Sequence, residues 1–248
     1  MIVVYFICSL IFSIIFYINT ILLLFITWFC NIFRVKKISE KISKIWTGTT
    51  IVMLKYICGV KYKVEGIENI PNDKNFIIVS KHQSTWETYF LYSYFKGCLA
   101  CVVKKELLKI PGMGTSLKSV GCIAIDRNGG ANALKKMLQD SKYYALEKKR
   151  SLLIFPQGTR VLPDSKVEDY PYKSGFVAIA LATKLDLLPI SLNSGISWPK
   201  GSFIKKPATI TVKIDKLIKY EEYSKLDKIA IAKMIENVIE SNQKLLKD

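Results

Sequence analysis

Residues 76–87 read FIIVSKHQSTWE. The first five residues, Phe76–Ser80, form a short apolar run that is typical of a buried β-strand. A helical period of apolar residues begins at Thr85 and continues to Phe95. A strand followed at once by a helix is the unit from which α/β folds are built, and the loop between the two carries His82, the only histidine in the chain.

The same alternation of strand and helix continues along the chain. It predicts strands at Phe76–Ser80, Leu99–Val103, Cys122–Ile125, Leu152–Phe155, Leu187–Leu192 and Ala208–Ile214. It predicts helices at Thr85–Phe95, Ala131–Lys149, Gly175–Lys184 and Lys228–Leu246. We therefore expect an α/β fold in which helices flank a single mixed, largely parallel sheet, and we expect this domain to occupy residues 61–248.

The N-terminal region is apolar. Met1 to Phe33 contains no charged side chain. At about 1.5 Å per residue it would form a helix of roughly 50 Å, longer than the hydrocarbon core of about 30 Å. The helix therefore tilts, kinks or breaks in two, with Asn19 and Thr20 as the expected break points. We expect residues 1–60 to form a membrane-anchoring helix or two-helix element that is not cleaved as a signal peptide.

A basic cluster follows the apolar run and comprises Arg34, Lys36, Lys37, Lys41 and Lys44. Such a cluster is expected on the cytoplasmic side of a membrane. The next apolar stretch, Ile45–Val60, contains Lys55 as its only charged residue. It is either an interfacial helix that lies on the bilayer or an ordinary core helix, and the sequence leaves both alternatives open.

The composition restricts the partners. The chain has 37 Lys and Arg residues against 20 Asp and Glu residues, a net charge of +17, which favours an anionic partner: a phospholipid surface, a nucleic acid or an acidic carrier. The six cysteines have no spacing typical of a disulfide framework. Cys98 and Cys101 form one CxxC, which needs a second pair of ligands to make a zinc site. We expect reduced thiols and no metal site.

The loop after the first predicted strand carries a candidate acid–base pair. Glu87 follows His82 by five residues, in the first turn of the predicted helix, from where its carboxylate can reach back to one imidazole nitrogen. A carboxylate there fixes the tautomer and stabilises the imidazolium that forms when the other nitrogen takes a proton. The alternative is that Ser84 and Glu87 form only a capping box, in which the glutamate serves the helix N-terminus.

Three other segments end predicted strands with residues suited to anion binding or to sharp turns. Gly121–Arg127 ends in Asp-Arg before two glycines that open a helix, and Phe155–Arg160 ends in a glycine turn and an arginine. Leu188–Gly195 ends a third strand. An arginine at a strand end beside a helix N-terminus is a good phosphate-binding group, and ligands in such sheets gather at the carboxyl ends of the strands.

In this order, the segments resemble the motifs of the 1-acylglycerol-3-phosphate acyltransferase (lysophosphatidate acyltransferase) family, within the glycerophospholipid H-x4-D/E acyltransferase superfamily. The matching blocks are His82 to Glu87 (H-x4-D), Gly121–Arg127 (G-x-x-x-I-D-R), Phe155–Arg160 (F-P-E-G-T-R) and Leu188–Ile190 (apolar-Pro-apolar). The segments Lys104–Leu107 and Ile110–Gly114 also resemble the stretch between the first two blocks. The similarity spans Phe76 to Gly195.

Two positions depart from the family pattern. Glu87 is one methylene longer than the usual Asp of the first block, and Gln157 replaces the usual Glu of the third block. A glutamine keeps hydrogen bonding but carries no charge, so a role that needs a carboxylate at residue 157 is absent. The catalytic carboxylate is then Glu87.

The resemblance implies transfer of a fatty acyl group from an acyl thioester, acyl-CoA or acyl carrier protein, to the sn-2 hydroxyl of lysophosphatidic acid, which gives phosphatidic acid in phospholipid biosynthesis. His82 would remove the hydroxyl proton, with Glu87 as its partner. The resemblance also implies roles for a further set of residues: phosphate binding by Arg127, Arg160 and, as a weaker candidate, Lys104, and oxyanion stabilisation by the amides of Gly158 and Thr159.

No cofactor is implied beyond the thioester co-substrate. The expected partners are a phospholipid membrane, lysophosphatidic acid, and acyl carrier protein or acyl-CoA. The expected location is a bacterial-type inner (cytoplasmic) membrane, with the catalytic domain facing the cytoplasm. The alternatives are a related acyltransferase acting on glycerol-3-phosphate, another lysophospholipid or a lyso-ornithine lipid, and an inactive membrane-surface scaffold. A nucleic-acid partner is not expected, because nothing resembles a groove-reading helix or a stacking motif.

Overall fold

The computed structural model describes residues 1–32, 36–110, 112–126 and 129–246. Its strands are β1 (Val60–Glu65), β2 (Ile77–Ser80), β3 (Leu99–Lys104), β4 (Ile123–Ile125), β5 (Ser151–Ile154), β6 (Leu187–Leu192) and β7 (Ala208–Ile214). Its α-helices are α1 (Ile2–Ile32), α2 (Lys36–Cys58), α3 (Trp86–Tyr94), α4 (Met113–Ser119), α5 (Gly130–Lys142), α6 (Gly175–Thr183), α7 (Tyr220–Tyr223) and α8 (Lys228–Leu245).

The strands form one seven-stranded sheet in the order β1-β7-β6-β2-β5-β3-β4. From β6 to β4 every neighbouring pair is parallel, whereas β7 runs antiparallel to β6 and pairs in parallel with β1. The predicted α/β fold with a mixed, largely parallel sheet is confirmed. β2, the strand that precedes His82, lies at the centre of this order between β6 and β5.

The six predicted strands are all present to within one residue at each end, because each is an apolar run bounded by polar or glycine residues. β1 was not predicted. It is an edge strand, and after Val60 its side chains are exposed or half-buried, so it lacks the apolar run by which a buried strand is recognised.

The four predicted helices are present as α3, α5, α6 and α8. The prediction over Ala131–Lys149 ran too far: α5 ends at Lys142 and a single π-helical turn, Tyr143–Glu147, follows it. The helices α4 and α7 were not predicted, because 7 and 4 residues are too few for a clear apolar period.

Alternate side chains of the sheet enter two separate apolar layers. Ile78 of β2 packs on one face with α2 and α3, where Trp86 and Leu54 are fully buried. Ile77 and Val79 point to the other face, which α5, α6 and α8 cover. The central strand is therefore buried on both sides, and the loop after it starts from a rigid base.

Of the alternatives for the N-terminal helix, the break at Asn19 and Thr20 is excluded, since α1 runs without interruption from Ile2 to Ile32. The hydroxyl of Thr20 donates to the carbonyl oxygen of Phe16, 2.7 Å away, so it finds a hydrogen-bond acceptor within the helix. The same hydroxyl accepts a hydrogen bond from Trp46 Nε1 in α2 at 2.9 Å. Thr20 therefore joins α1 to α2.

The amino-terminal half of α1 is fastened to the α/β domain through the segment between β6 and β7. The backbone amide of Lys205 donates to Ser9 Oγ at 2.8 Å, and the ring of Phe12 is 6.0 Å from that of Trp198. The ammonium of Lys205 lies 4.7 Å from the Trp198 ring centre and 4.9 Å from that of Phe203. This lysine is 3 % exposed, and desolvation by burial lowers its pKa.

The carboxyl-terminal half of α1 touches the domain as well. A Cβ on Gly112, just before α4, would stand 3.1 Å from the carbonyl oxygen of Leu24. Contacts with the domain thus extend from Ser9 to Leu24, about 22 Å along the helix axis. On its outer side α1 is apolar and exposed, and Ile2–Cys30 is the one helical segment among the described residues long and apolar enough to cross a membrane.

The second apolar stretch, predicted as interfacial or core, belongs to α2 as far as Cys58, and this part of the helix has one buried and one exposed face. Leu54 and Cys58 are buried against the sheet layer, whereas Val52 and Tyr56 are 53 % and 76 % exposed. The predicted boundary at residue 60 falls at the first residue of β1. The division into an anchoring element and a catalytic domain stays a prediction. Arg34 of the predicted basic cluster lies outside the described residues.

Two isoleucines of α8 test the core by the same chemical change. Ile235 is fully buried and Ile229 is 81 % exposed. We expect Ile235→Ala to lower the free energy of unfolding by about 2–5 kcal/mol, because it leaves a cavity beneath β6. Ile229→Ala should change it by less than about 0.5 kcal/mol. Urea unfolding followed by circular dichroism in detergent measures both, and equal effects would contradict this packing.

Lys205 gives a stability effect with a defined sign. Its pKa is lowered in the folded state, so between that pKa and the ordinary value near 10.5 the unfolded chain binds more protons. Stability contributed by this residue therefore rises with pH across that interval. We expect the difference in unfolding midpoint between wild type and Lys205→Met to change in favour of wild type as the pH rises from 8 to 10. A constant difference between the two would refute the expectation.

Candidate active site

Three neighbouring strands end at the same edge of the sheet. β2 pairs in parallel with β6 on one side and with β5 on the other, at a strand spacing of about 4.8 Å. The residues that follow these strands are thereby brought together, although they are far apart in sequence. His82 follows β2, Phe155–Arg160 follow β5 and Ser194 follows β6.

His82 and Glu87 form a hydrogen-bonded pair at this edge. His82 Nδ1 is 2.8 Å from Glu87 Oε1. A carboxylate only accepts, so Nδ1 carries the proton and Nε2 is left with its lone pair. The imidazole stacks on the ring of Phe155, with centroids 3.9 Å apart and planes 15° apart. The side chain of His82 is 18 % exposed and that of Glu87 is fully buried, so solvent reaches the imidazole but not the carboxylate.

The carboxylate of Glu87 also caps helix α3. Its Oε1 accepts the backbone amides of Gln83 at 2.6 Å and Ser84 at 2.7 Å. The Ser84 hydroxyl accepts from the amide of Trp86 at 3.1 Å. The capping interpretation and the acid–base interpretation of Glu87 are therefore compatible, because one oxygen serves the histidine and the helix N-terminus together.

The second oxygen of Glu87 is held by a residue that the sequence did not single out. Ser194 Oγ donates to Glu87 Oε2 at 2.7 Å, across a separation of 107 residues. Beside it, the amide of Gly195 donates to Gln83 Oε1 at 3.1 Å, which joins the end of β6 to the loop after β2. The longer side chain of glutamate at position 87 thus has a polar partner for each oxygen, as a fully buried carboxylate requires.

The segment after β5 makes a tight turn against the histidine loop. Gly158 has φ +68°, in the left-handed region that favours glycine, and its amide donates to the carbonyl oxygen of Phe155 at 3.0 Å. The amide of Val161 donates to the carbonyl oxygen of His82 at 2.8 Å. Gln157 points inward, where it is 3 % exposed and donates to the carbonyl oxygen of Tyr170 at 3.3 Å.

The predicted oxyanion donors, Gly158 and Thr159, lie on this turn. The Gly158 amide is already engaged by Phe155, so as a donor to an oxyanion it would first have to leave that bond. The amide of Thr159 is then the remaining candidate of the two. An oxyanion role for either stays a prediction.

The predicted phosphate ligands fall into two groups. Arg160 is half-buried, and its Nη1 donates to Thr85 Oγ1 at 2.7 Å, which brings the guanidinium to the start of α3 beside the histidine loop. Lys104 is exposed at the end of β3, in register with Ile125 of β4. Because β3 is two strands from β2, that end lies about 10 Å away along the sheet. Arg127 lies outside the described residues.

Among the described residues no group of three or more His, Cys, Asp or Glu side chains is placed to hold a metal ion. All six cysteines are free thiols.

The fold and the site together define an α/β protein that holds a hydrogen-bonded histidine–glutamate pair at the carboxyl edge of its sheet. The chain belongs to the acyltransferase family, whose sequence profile, described as Acyltransferase, matches residues 61–193, more than half of the chain. The family resemblance drawn from the four sequence blocks is thereby confirmed.

Relatives and a solved structure agree with this assignment. A 1-acyl-sn-glycerol-3-phosphate acyltransferase from Pseudomonas aeruginosa is 41 % identical over 169 residues, covering 68 % of this chain and 63 % of the relative. One from Limnanthes douglasii is 33 % identical over 189 residues, covering 75 % and 65 %. The chain thus spans less than two thirds of these relatives' length. The crystal structure of the 1-acyl-sn-glycerophosphate (LPA) acyltransferase PlsC from Thermotoga maritima has a TM-score of 0.75 and 25 % identity, covering 96 % of both chains.

Removal of the Ser194 hydroxyl tests the arrangement around Glu87. Ser194→Ala leaves Oε2 of a buried carboxylate without its donor, so we expect the free energy of unfolding to fall by about 1–3 kcal/mol. Ser165→Ala, in a partly exposed loop, is the matched control and should have an effect below about 0.5 kcal/mol. Denaturant titrations of both variants measure this free energy. If Ser194→Ala has the same free energy of unfolding as wild type, the hydrogen bond does not contribute to stability.

Proposed function

We propose that this protein transfers a fatty acyl group from an acyl thioester to the sn-2 hydroxyl of lysophosphatidic acid, giving phosphatidic acid. The observation that carries the proposal is the His82–Glu87 pair: a 2.8 Å hydrogen bond holds Nδ1, and the histidine side chain is 18 % exposed beside the carboxyl end of β2. Membership of the acyltransferase family and the names of the relatives support the same reaction. Since the chain spans less than two thirds of those relatives, the activity is inferred from the site as well as from the similarity.

The chemistry follows from the protonation state of the pair. His82 Nε2 removes the proton of the acceptor hydroxyl as its oxygen attacks the thioester carbonyl carbon, and the imidazolium that forms is stabilised by the Glu87 carboxylate. When the tetrahedral intermediate collapses, the carbon–sulfur bond breaks and the imidazolium returns the proton to the leaving thiolate. The histidine ends as it began, and no covalent enzyme intermediate is needed.

Phosphate binding sets the position of the hydroxyl. The guanidinium of Arg160 is fixed beside the histidine loop by its bond to Thr85, which is where the phosphate of a small acceptor would have to lie for its hydroxyl to meet His82. Lys104 and Arg127 are proposed to complete this phosphate site from the ends of β3 and β4. Charge-assisted bonds of this kind hold the acceptor hydroxyl in one orientation relative to His82, and this positioning raises the rate of acyl transfer.

The buried side chain of Gln157 supports a structural role rather than a chemical one. It anchors the turn after β5 through Tyr170 and carries no charge. All the acid–base chemistry of the proposal therefore rests on His82 and Glu87.

The contacts of α1 support a monotopic attachment, in which the helix lies against one leaflet. The domain touches α1 from Ser9 to Leu24, about 22 Å of its length. If α1 crossed the bilayer alone, these domain loops, with their polar backbone, would lie in hydrocarbon, where unsatisfied backbone groups are costly. The exposed apolar face of α1, which includes Ile18, Ile21 and Phe25, would instead enter the lipid sideways.

The basic composition supports attachment to an anionic leaflet. With a net charge of +17, the domain is attracted to acidic phospholipid headgroups and to phosphorylated or acidic acyl donors. We propose the cytoplasmic face of a bacterial-type inner membrane as its location, with acyl-CoA or acyl carrier protein as donor.

Two variants test the mechanism. We expect His82→Ala to abolish transfer. Glu87→Gln keeps the shape and the amide contacts but removes the charge, so we expect kcat to fall by about 100- to 10,000-fold. The measurement is phosphatidic acid formation by purified protein in mixed micelles, with lysophosphatidic acid and an acyl thioester. Circular dichroism and membrane attachment should match wild type in both variants.

Three results would overturn the proposal. Full activity of His82→Ala would remove the base from the mechanism. Absence of product from lysophosphatidic acid, with activity on glycerol-3-phosphate, another lysophospholipid or a lyso-ornithine lipid, would assign a different acceptor. Inactivity of wild type with every acceptor and donor pair would favour a membrane-surface scaffold.

A further inference from the structure

Two lysines from outside the four sequence blocks converge on the turn after β5. Lys200 Nζ donates to Thr159 Oγ1 at 3.3 Å. Lys173 Nζ lies 3.5 Å from the position that a Cβ on Gly158 would occupy. Two ammonium groups therefore flank adjacent residues of one turn, which directly follows the strand paired with β2.

The backbone fixes where each lysine starts. The amide of Lys173 donates to the carbonyl oxygen of Pro156 at 3.0 Å, so its segment is tied to the same turn. Lys200 lies in the loop between β6 and β7, which Trp198 closes by donating from Nε1 to the carbonyl oxygen of Ser202 at 3.1 Å. The two charges are thus brought to the turn by two independent connections.

These charges lack acidic partners. Both lysines are exposed, and in the described part of the chain neither forms an ion pair with a carboxylate. Gly158 has no side chain to cover the backbone beneath them, and its φ of +68° keeps larger residues out. Arg160, the remaining cation of the turn, is directed to Thr85 instead. Two unpaired ammonium groups above an uncovered glycine are suited to phosphoryl oxygens.

The two proposed substrates present their phosphates differently. In the acceptor, the phosphate is a few bonds from the reacting hydroxyl, which matches the half-buried Arg160 beside the histidine loop. In the thioester donors, a long pantetheine arm separates the reacting carbonyl from its phosphate. An exposed pair of cations on the rim of the same turn matches that longer reach.

We propose that Lys173 and Lys200 form a second anion site, which binds the phosphate of the phosphopantetheine arm that acyl-CoA and acyl carrier protein share. This inference rests on the proposed function, since it assigns a donor to the same histidine. It gives the two substrates separate phosphate sites, and it makes the turn between them the element that aligns thioester and hydroxyl.

The test compares two double variants with the same loss of charge. Lys173→Ala/Lys200→Ala removes the proposed site. Lys225→Ala/Lys228→Ala is the control, because Lys225 and Lys228 are exposed near the amino end of β6, where Tyr223 OH donates to the carbonyl oxygen of Leu185. For the first variant we expect the KM for acyl-CoA to rise about tenfold, the value for one or two charge-assisted bonds, and its salt dependence to weaken. The KM for lysophosphatidic acid and kcat should stay close to wild type, as should every constant of the control.

Two further measurements distinguish the possible sources of the phosphate. Acyl carrier protein as donor should show the same rise in KM if the shared phosphopantetheine phosphate is bound. Calorimetric binding of a non-reactive thioether analogue of acyl-CoA reports the site without turnover, so the inference is tested even if lysophosphatidic acid is not the acceptor. In that case wild type would still bind the analogue, and the double variant would bind it about tenfold more weakly.

Three results would overturn the inference. One is a rise in the KM for lysophosphatidic acid instead of the donor. Another is loss of binding to vesicles of phosphatidylglycerol with donor constants unchanged, which would assign the lysines to lipid headgroups. The last is an equal rise in the KM for acyl-CoA in the control variant, which would show that the effect comes from the change in net charge and not from these two positions.

Discussion

The buried carboxylate of Glu87 is the interaction on which the site depends. It accepts four hydrogen bonds: from His82, from the amides of Gln83 and Ser84 in the loop before α3, and from Ser194 beyond β6. A fully buried charge is tolerated only when its oxygens are satisfied in this way. Because three donors come from the loop after β2 and the fourth from the segment after β6, the carboxylate fixes the imidazole and its loop and joins the ends of two neighbouring strands.

Sheet order is what makes this possible. With β2 between β6 and β5, the segments that carry His82, Ser194 and the Gly158 turn meet because each of these residues lies close to the carboxyl end of its strand. The antiparallel reversal at β7 then returns the chain to α1 through the segment that contains Lys205. The apolar helix α1 and the sheet edge that carries His82 are thereby joined through one strand connection.

Local patterns in the sequence predicted the parts of the structure that depend on neighbours in the chain. The strands were found because their apolar runs are buried on both faces, and the pairing of His82 with Glu87 followed from their spacing at a helix start. Ser194 was missed because its partner is 107 residues away, and only the sheet order brings the two together.

Other features were missed for the same reason or for lack of a pattern. The convergence of Lys173 and Lys200 depends on the path of two loops, and β1 is an edge strand whose exposed side chains give no apolar run. The uninterrupted α1 overturned a prediction that treated Thr20 as a weak point, since its hydroxyl bonds to Phe16 within the helix and to Trp46 outside it.

The attachment of α1 along its length has a kinetic consequence. If α1 lies in one leaflet as proposed, its contacts with the domain at Ser9 and at Leu24 hold the domain at one height and one tilt above the lipid. For an enzyme of the proposed function, encounters with the acceptor are then two-dimensional. Its rate follows the mole fraction of acceptor in the leaflet, and dilution of the acceptor with inert lipid slows it even when the bulk concentration is unchanged.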